Sequence, residues 1–235
     1  MNVDSSTWRV NDSEAPLTAQ PDPDDAARRA RAAHRSRQLL DAAARLMERE
    51  GSEAVSMQAL AGEAGVSVGL IYRYFGSKDD VLLAVITDVL DAFADAVPTA
   101  IEGAGPDPVR RLAAAFAAYC RVIDDHRHAA VLTYRESKSL DEAGREQIKA
   151  REVDTSQPLR DTIRVGVESG RLIAPDPDLV AYNLLLLAHA WALKHWYFER
   201  TMSLEAYIRA QLALALRAVL APGLETEYAD LVARP

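Results

Sequence analysis

From Ser36 onward the apolar residues of this chain return every three or four positions, and no stretch of it alternates. A period near 3.6 is the stripe of an amphipathic helix, whereas a half-buried strand needs a period of two. No Asn-Gly or Asp-Gly pair offers a hairpin turn. The chain is therefore expected to be all-α. Leu39, Leu40, Ala43, Leu46 and Met47 form the first stripe, which predicts a helix over 36–50 closed by Gly51. A short helix follows Ser56 and stops at Gly65; a third follows Ser67 and ends near Phe75. Both serines are good N-caps. Ser77 with Asp80 reads as a capping box for a fourth helix running through Phe93. Gly103, Gly105 and Pro106 then break the pattern. Asp107-Pro108 and Asp176-Pro177 each read as a cap followed by proline in a first helical turn. Helices are expected over 107–124, 128–139 and 141–168, with a kink or break at Pro158. Two more, over 176–198 and 203–220, precede Pro222-Gly223.

Composition adds limits. Residues 1–26 are polar, acidic and without period, so a disordered tail is expected there. The balance then reverses: 28–37 holds Arg28, Arg29, Arg31, Arg35, Arg37 and His34 with no acid. The whole chain carries a net charge of -8 over 235 residues. An acidic protein meets nucleic acid only through a local basic patch, and 28–37 supplies one. Alone, that run reads equally as the solvated start of a helix. The single cysteine, Cys120, cannot close an internal disulfide, which suits a reducing cytoplasm. The opening MNVDSSTWRV lacks a basic segment followed by an apolar run, so no secretory signal is expected. The most apolar run, 179–193, is broken by Asn183 and His189 and is shorter than the roughly 20 residues that span a bilayer. It reads as a buried helix, and no membrane partner is expected.

Enzyme chemistry finds no support. His34, His126, His128, His189 and His195 form no HExxH, and Gly103-x-Gly105 lacks the third glycine of a dinucleotide loop. Cys120 lies on an Ala-rich apolar stretch, as a core residue would. No catalytic residue, metal or cofactor is expected.

Residues 55–80 read VSMQALAGEAGVSVGLIYRYFGSKDD. A helix-turn-helix needs small residues where its two helices cross, and Ala61 and Ala64 are small. Its turn needs a residue tolerant of positive φ above an apolar plug, which Gly65 and Val66 provide. Its second helix needs a cap and small or polar residues at the end that meets base edges; Ser67, Val68 and Gly69 fit. Ile71 and Phe75 would face inward. This run, A-G-V-S-x-G-x-I-Y-R-Y-F-G-S-K-D-D, resembles the helix-turn-helix of the tetracycline-repressor (TetR) family of bacterial regulators. The preceding R-S-R-Q-L-L-D-A-A-A-R-L-M-E-R-E-G is similar to that family's first helix. The resemblance covers about 35–85 closely; beyond it, only the helical layout is similar.

The resemblance implies roles. Ser56 and Gln58 would meet phosphates and a base edge. Ser67, Val68, Gly69 and Leu70 would lie in the major groove, with Val68 against a thymine methyl. Tyr72, Tyr74 and Lys78 would touch the backbone of double-stranded operator DNA, although the tyrosines also fit plain core packing. Arg35 and Arg37 would reach phosphates, and the earlier arginines would form a flexible minor-groove arm. The implied domains are a tail, 1–26; a DNA-binding domain with basic arm, 27–80; a ligand-binding and dimerisation domain, 81–223, entered by a connecting helix over 81–95; and a C-terminal tail, 224–235.

The helix over 176–198 is apolar on almost every face, and Ile208, Leu212, Leu214, Leu216, Val219 and Leu220 make the last helix similar. A plain monomer core accounts for that load, but the resemblance implies a homodimer interface built from both helices, with Leu212 and Leu216 at it. The segment TYRESKSLDEAGREQIKAREVD and the following VESGRL resemble more narrowly the regulators of fatty-acid and sterol catabolism, which respond to acyl-CoA. An apolar effector would then lie among Tyr119, Ile123, Val131, Tyr134, Leu186, Ala190 and Leu193, with Arg135 at its polar end. Arg135, Lys138, Arg145, Lys149 and Arg151 would suit CoA phosphates, but interleaved acids also make them a solvated face. The implied function is a dimeric repressor released from a palindrome by a small molecule. The alternative is a DNA-bound regulator controlled by a protein partner.

Overall fold

The computed structural model of the chain describes residues 23–233, with side chains from Arg35 onward. Among these residues every regular element is a helix, and one isolated bridge joins Leu172 to Leu220. The helices are α1 (Pro23–Glu50), α2 (Met57–Glu63), α3 (Val68–Tyr74), α4 (Lys78–Gly103), α5 (Pro108–Asp125), α6 (Arg127–Glu136), α7 (Glu142–Glu168), α8 (Pro177–Leu193), α9 (His195–Phe198), α10 (Leu204–Val219) and α11 (Ala229–Val232). The described residues divide into two units, with the boundary after Ser36.

Helix α1 begins at Pro23, well before Ser36. Its basic run is therefore helical rather than a loose arm, and 23–26 does not belong to a structureless tail. The rest of the expected tail, 1–22, lies outside the described residues. Helix α4 also runs further than its stripe suggests, through Pro98 to Gly103. The expected caps form: Ser56, Ser67 and Ser77 accept the N–H groups of Ala59, Leu70 and Asp80 at 3.1, 3.3 and 3.1 Å. Each such cap stabilises its helix by about 1 kcal/mol. Asp107 and Asp176 cap α5 and α8 in the same way.

Helix α5 lies at the centre of the larger unit, packed by α4, α7, α8 and α10. Val109, Leu112, Phe116, Cys120 and Ile123 are closed off from solvent along it. Burial pushes the Cys120 thiol up to about 12, so it is an inert core group. Helix α7 stays continuous across Pro158, which has no N–H to give. Side chains satisfy carbonyls in the turn before it: Arg160 donates to Val153 O, and the Tyr119 hydroxyl donates to Thr155 O. The expected C-terminal tail is docked over its described part. Tyr228 is buried and donates to Asp107 at 2.6 Å, while Arg171 pairs with Glu227 and Arg110 with Asp230. Burial works against the Asp107 carboxylate, but the Tyr228 hydroxyl and two backbone N–H groups outweigh it and hold its pKa below the usual range.

Candidate DNA-reading surface and effector pocket

Helices α2 and α3 pack through Leu60, Ala61 and Ile71, all 2% exposed or less. The turn between them is set by backbone bonds from Gly65 N to Gly62 O and from Val66 N to Ala61 O, with Gly65 at φ +65°. A side chain at that φ is strained, so glycine is the residue the turn admits. With Ile71 turned inward, α3 presents its other faces to water. Ser67, Gly69, Tyr72, Arg73 and Tyr74 are exposed, and Val68, Leu70 and Phe75 are half-buried. Tyr72 and Tyr74 are 53% and 41% exposed, so core packing does not account for them. The Arg73 guanidinium lies 5.7 Å from the Tyr74 ring centroid. Ser56 and Gln58 are exposed at the start of α2, and Arg35 and Arg37 are exposed along α1. The capping serines accept through Oγ and keep their own O–H to donate outward. Lys78 is placed differently from expectation: its ammonium donates to Glu53 O at 2.8 Å, which braces α4 against the turn after α1.

The second site is a pocket of about 200 Å³ enclosed by five helices. Val89, Leu90 and Phe93 of α4 and Tyr119 of α5 form its floor. Ala130, Thr133 and Tyr134 line it from α6, and Glu152, Thr155 and Ser156 from α7. Tyr182, Leu185, Leu186 and His189 close it from α8, with Tyr134, Tyr182 and Leu186 at its partly exposed rim. The His189 ring meets Phe93 and Tyr134 edge-on. Its Nδ1–H donates to Leu185 O at 2.8 Å, and burial holds its pKa below the usual value, so the ring is neutral. Burial likewise pushes the Glu152 carboxyl up.

Of the residues expected around an effector, Tyr119, Tyr134 and Leu186 line this pocket. Ile123 is buried in the core, Val131 and Ala190 are half-buried outside the lining, and Leu193 is exposed. Arg135 is not at the pocket; its guanidinium donates to Glu48 O at the end of α1, 3.1 Å away. The α4 and α7 walls, with Thr133 and His189, are not among the residues the sequence points to. The signal for His189 is its place as the one basic residue in the apolar run 179–193. Leu212 and Leu216 also require correction. They are 6% and 0% exposed inside the chain's own core, so neither offers a face to a partner. Leu214, between them, is 63% exposed.

Helix α6 contacts the pocket and the end of α1. One side carries Ala130, Thr133 and Tyr134 to the pocket. The other holds α1 and the turn after it: His128 pairs with the Glu48 carboxylate, Arg135 with the Glu48 carbonyl, and Ser52 donates to Glu136 at 2.6 Å. At the start of α6, His126 donates to Val122 O and faces the Asp88 carboxylate of α4 at 3.6 Å. Asp88 raises the His126 pKa above 6.5, with burial opposing. The folded state thus favours protonated His126. Its contribution is complete below the unfolded value and is lost as pH rises through the raised folded value. His126→Asn should lower the melting temperature more at about pH 5.5 than at about pH 8.5. Equal losses at both would show that the pair does not titrate.

A helix-turn-helix with an exposed second helix, joined to a helical domain holding a pocket, defines a transcription regulator. Residues 39–85 match the family described as bacterial regulatory proteins, tetR family, and 105–219 match the tetracyclin repressor-like C-terminal domain. The HTH-type transcriptional regulator HbdR of Aromatoleum sp. (strain CIB) is 40% identical over 79% of this chain and 81% of its own. The TetR-family regulator PfmR of Thermus thermophilus has a similar structure, with TM-score 0.68 and 29% identity over 76% of this chain and 97% of its own. AibR, solved with isovaleryl coenzyme A and operator DNA, shares the fold at TM-score 0.65 and 21% identity over 77% of this chain and 97% of its own. The chain belongs to the TetR family. Its relatives are DNA-binding transcription regulators, not enzymes. Among the described residues no helix is long and apolar enough to cross a membrane.

Proposed function

We propose that this protein is a homodimeric repressor that binds a palindromic operator in the cytoplasm and is released by an apolar small molecule seated in the five-helix pocket. The observation that carries the reading is the double engagement of α6. It lines the pocket with one side and grips Glu48 and Ser52, just before the helix-turn-helix, with the other. Two reading heads must sit about 34–36 Å apart to enter successive major grooves. An effector that favours another spacing therefore removes the dimer from DNA without touching it. The pocket supports a ligand rather than a protein partner as controller. An acyl-CoA thioester is the first candidate, in line with the ligand of AibR. The dimer face is drawn from α8 and α10, where Leu179, Leu193 and Leu214 are exposed. Isolated exposed leucines are ordinary, but their presence on both of these helices supports placing the dimer face there.

The test is selection from random duplexes, with binding then followed against salt. One palindromic sequence should be enriched. Tyr72→Ala should weaken binding with little change in the salt slope, since a neutral hydroxyl releases no counterion, whereas Arg37→Ala should reduce the slope by about one. Enrichment of no sequence would refute the reading.

A further inference from the structure

The five-helix pocket has an unusual balance of hydrogen-bonding groups. The Thr133 hydroxyl donates to Ala129 O at 3.0 Å, Thr155 to Arg151 O at 2.9 Å, and Ser156 to Val153 O at 2.8 Å. Tyr119 donates to Thr155 O, and His189 uses its one N–H on Leu185 O. Each of these protons is thus committed to a backbone carbonyl of the pocket's own walls. What these lining groups still offer is lone pairs, on four hydroxyl oxygens and on the Nε2 of a neutral imidazole. Glu152, exposed at the rim, adds a carboxyl to the lining, and an ionised carboxylate is acceptor-only. Tyr134 and Tyr182, at the exposed rim, are the lining residues whose hydroxyls are not committed in this way.

Size and shape narrow the occupant. A dry cavity of about 150 Å³ holds one benzene ring. This pocket, at about 200 Å³, holds one ring with a substituent; a long acyl chain or a four-ring sterol nucleus exceeds it. Its walls offer ring faces and edges: Phe93 and Tyr119 lie 4.6 Å apart, and Tyr134 and His189 5.5 Å apart. A second cavity, about 280 Å³, shares Thr133, Tyr134 and Glu152 with the first and carries Arg145 and Lys149. Because those three residues line both cavities, a substituent longer than the ring would be directed toward the second, where Lys149 is paired with Glu146 and Arg145 donates to Leu140 O.

Resting on the effector reading above, we infer that the pocket selects a single-ring apolar compound bearing a hydrogen-bond donor, a hydroxyl or an amine, directed at His189 Nε2 and Glu152. A thioester carbonyl can accept from the uncommitted Tyr134 or Tyr182 hydroxyl at the rim, whereas the lone pairs of His189 and Glu152 are answered only by a ligand that carries a donor. A carboxylate or coenzyme A thioester on the same ring would extend toward Arg145 and Lys149.

Calorimetry on the full chain would use toluene, cresol and benzylamine, then a hydroxybenzoate and its coenzyme A thioester, with palmitoyl-CoA for comparison. Cresol or benzylamine should bind at least tenfold more tightly than toluene, the worth of one buried hydrogen bond that is otherwise unmade. His189→Phe, which keeps the ring and removes the acceptor, should erase that ratio, with melting curves confirming the fold. Glu152→Gln should weaken the amine more than the hydroxyl compound, which separates those two donors. If the thioester binds more tightly than its free acid, and Lys149→Ala removes the gain, the longer ligand is the natural form. Equal binding of toluene and cresol, or tighter binding of palmitoyl-CoA than of any ring, overturns the inference. Palmitoyl-CoA that also lowers operator affinity would leave ligand-controlled release standing. Failure of every compound, palmitoyl-CoA included, to bind or to alter operator affinity overturns both.

Discussion

Leu214→Glu should yield a folded monomer that has lost tight operator binding, whereas Leu216→Glu should yield little folded protein. The two positions are two residues apart on α10 and differ in what surrounds them. Leu216 is closed off in the core, and Leu214 is 63% exposed. An unpaired carboxylate forced into the core costs several kcal/mol, comparable to the roughly 5–15 kcal/mol that holds a typical domain together. At Leu214 the same carboxylate stays in water in the single chain and meets apolar surface only in the dimer. Its cost therefore falls on association. A monomer engages one half-site, and the second head no longer binds as an intramolecular event. That loss is worth about 10²–10⁴ in apparent affinity. Sedimentation and operator titration of both variants are the measurements. A Leu214→Glu protein that remains dimeric would remove α10 from the interface.

The error over Leu212 and Leu216 shows what periodicity can and cannot give. An apolar stripe reports that a helix is covered, not by what. Leu212 and Leu216, four apart, share a face by helical geometry, and either a neighbouring helix or a partner subunit could cover it. Only packing decides, and α10 is covered within the chain itself by α5, α8 and α11. The helix-turn-helix is far more legible because its constraints are local. The cap at Ser67, the positive φ at Gly65 and the inward Ile71 are each fixed within a few residues. The pocket is the least legible part. Its walls come from five helices, and its polar groups, such as Thr155 and Ser156, sit in the turn before Pro158 on a helix whose pattern reads as solvated. Arg135 reads as a ligand partner because it is basic and follows Tyr134. On a helix, adjacent residues point about 100° apart, so Tyr134 meets the pocket while Arg135 meets α1.

That divergence within α6 gives the last expected result. Arg135→Ala combined with Ser52→Ala should leave effector affinity within about twofold and operator affinity largely intact, yet reduce the effector's power to release DNA by about tenfold or more. The double change removes two hydrogen bonds that tie α6 to the end of α1 and to the following turn: Arg135 to Glu48 O, and Ser52 to Glu136. Each is worth about 1 kcal/mol, more where a charge takes part. Allosteric couplings are typically about 1–3 kcal/mol, so a link of this size can carry most of one. To move the operator-bound population from 99:1 to 1:99 an effector must favour the released state by about 10⁴, or about 10² per site in a dimer. Neither altered residue lines the pocket or lies on α2 or α3, so each binding step should survive alone. The readout is operator affinity with and without saturating effector, using whichever panel compound binds. Coupling is reciprocal, so effector affinity with and without operator must change by the same factor. Release undiminished in the double variant would show that the signal reaches the helix-turn-helix by another route, the α4 contact at His126 and Asp88 being next in line.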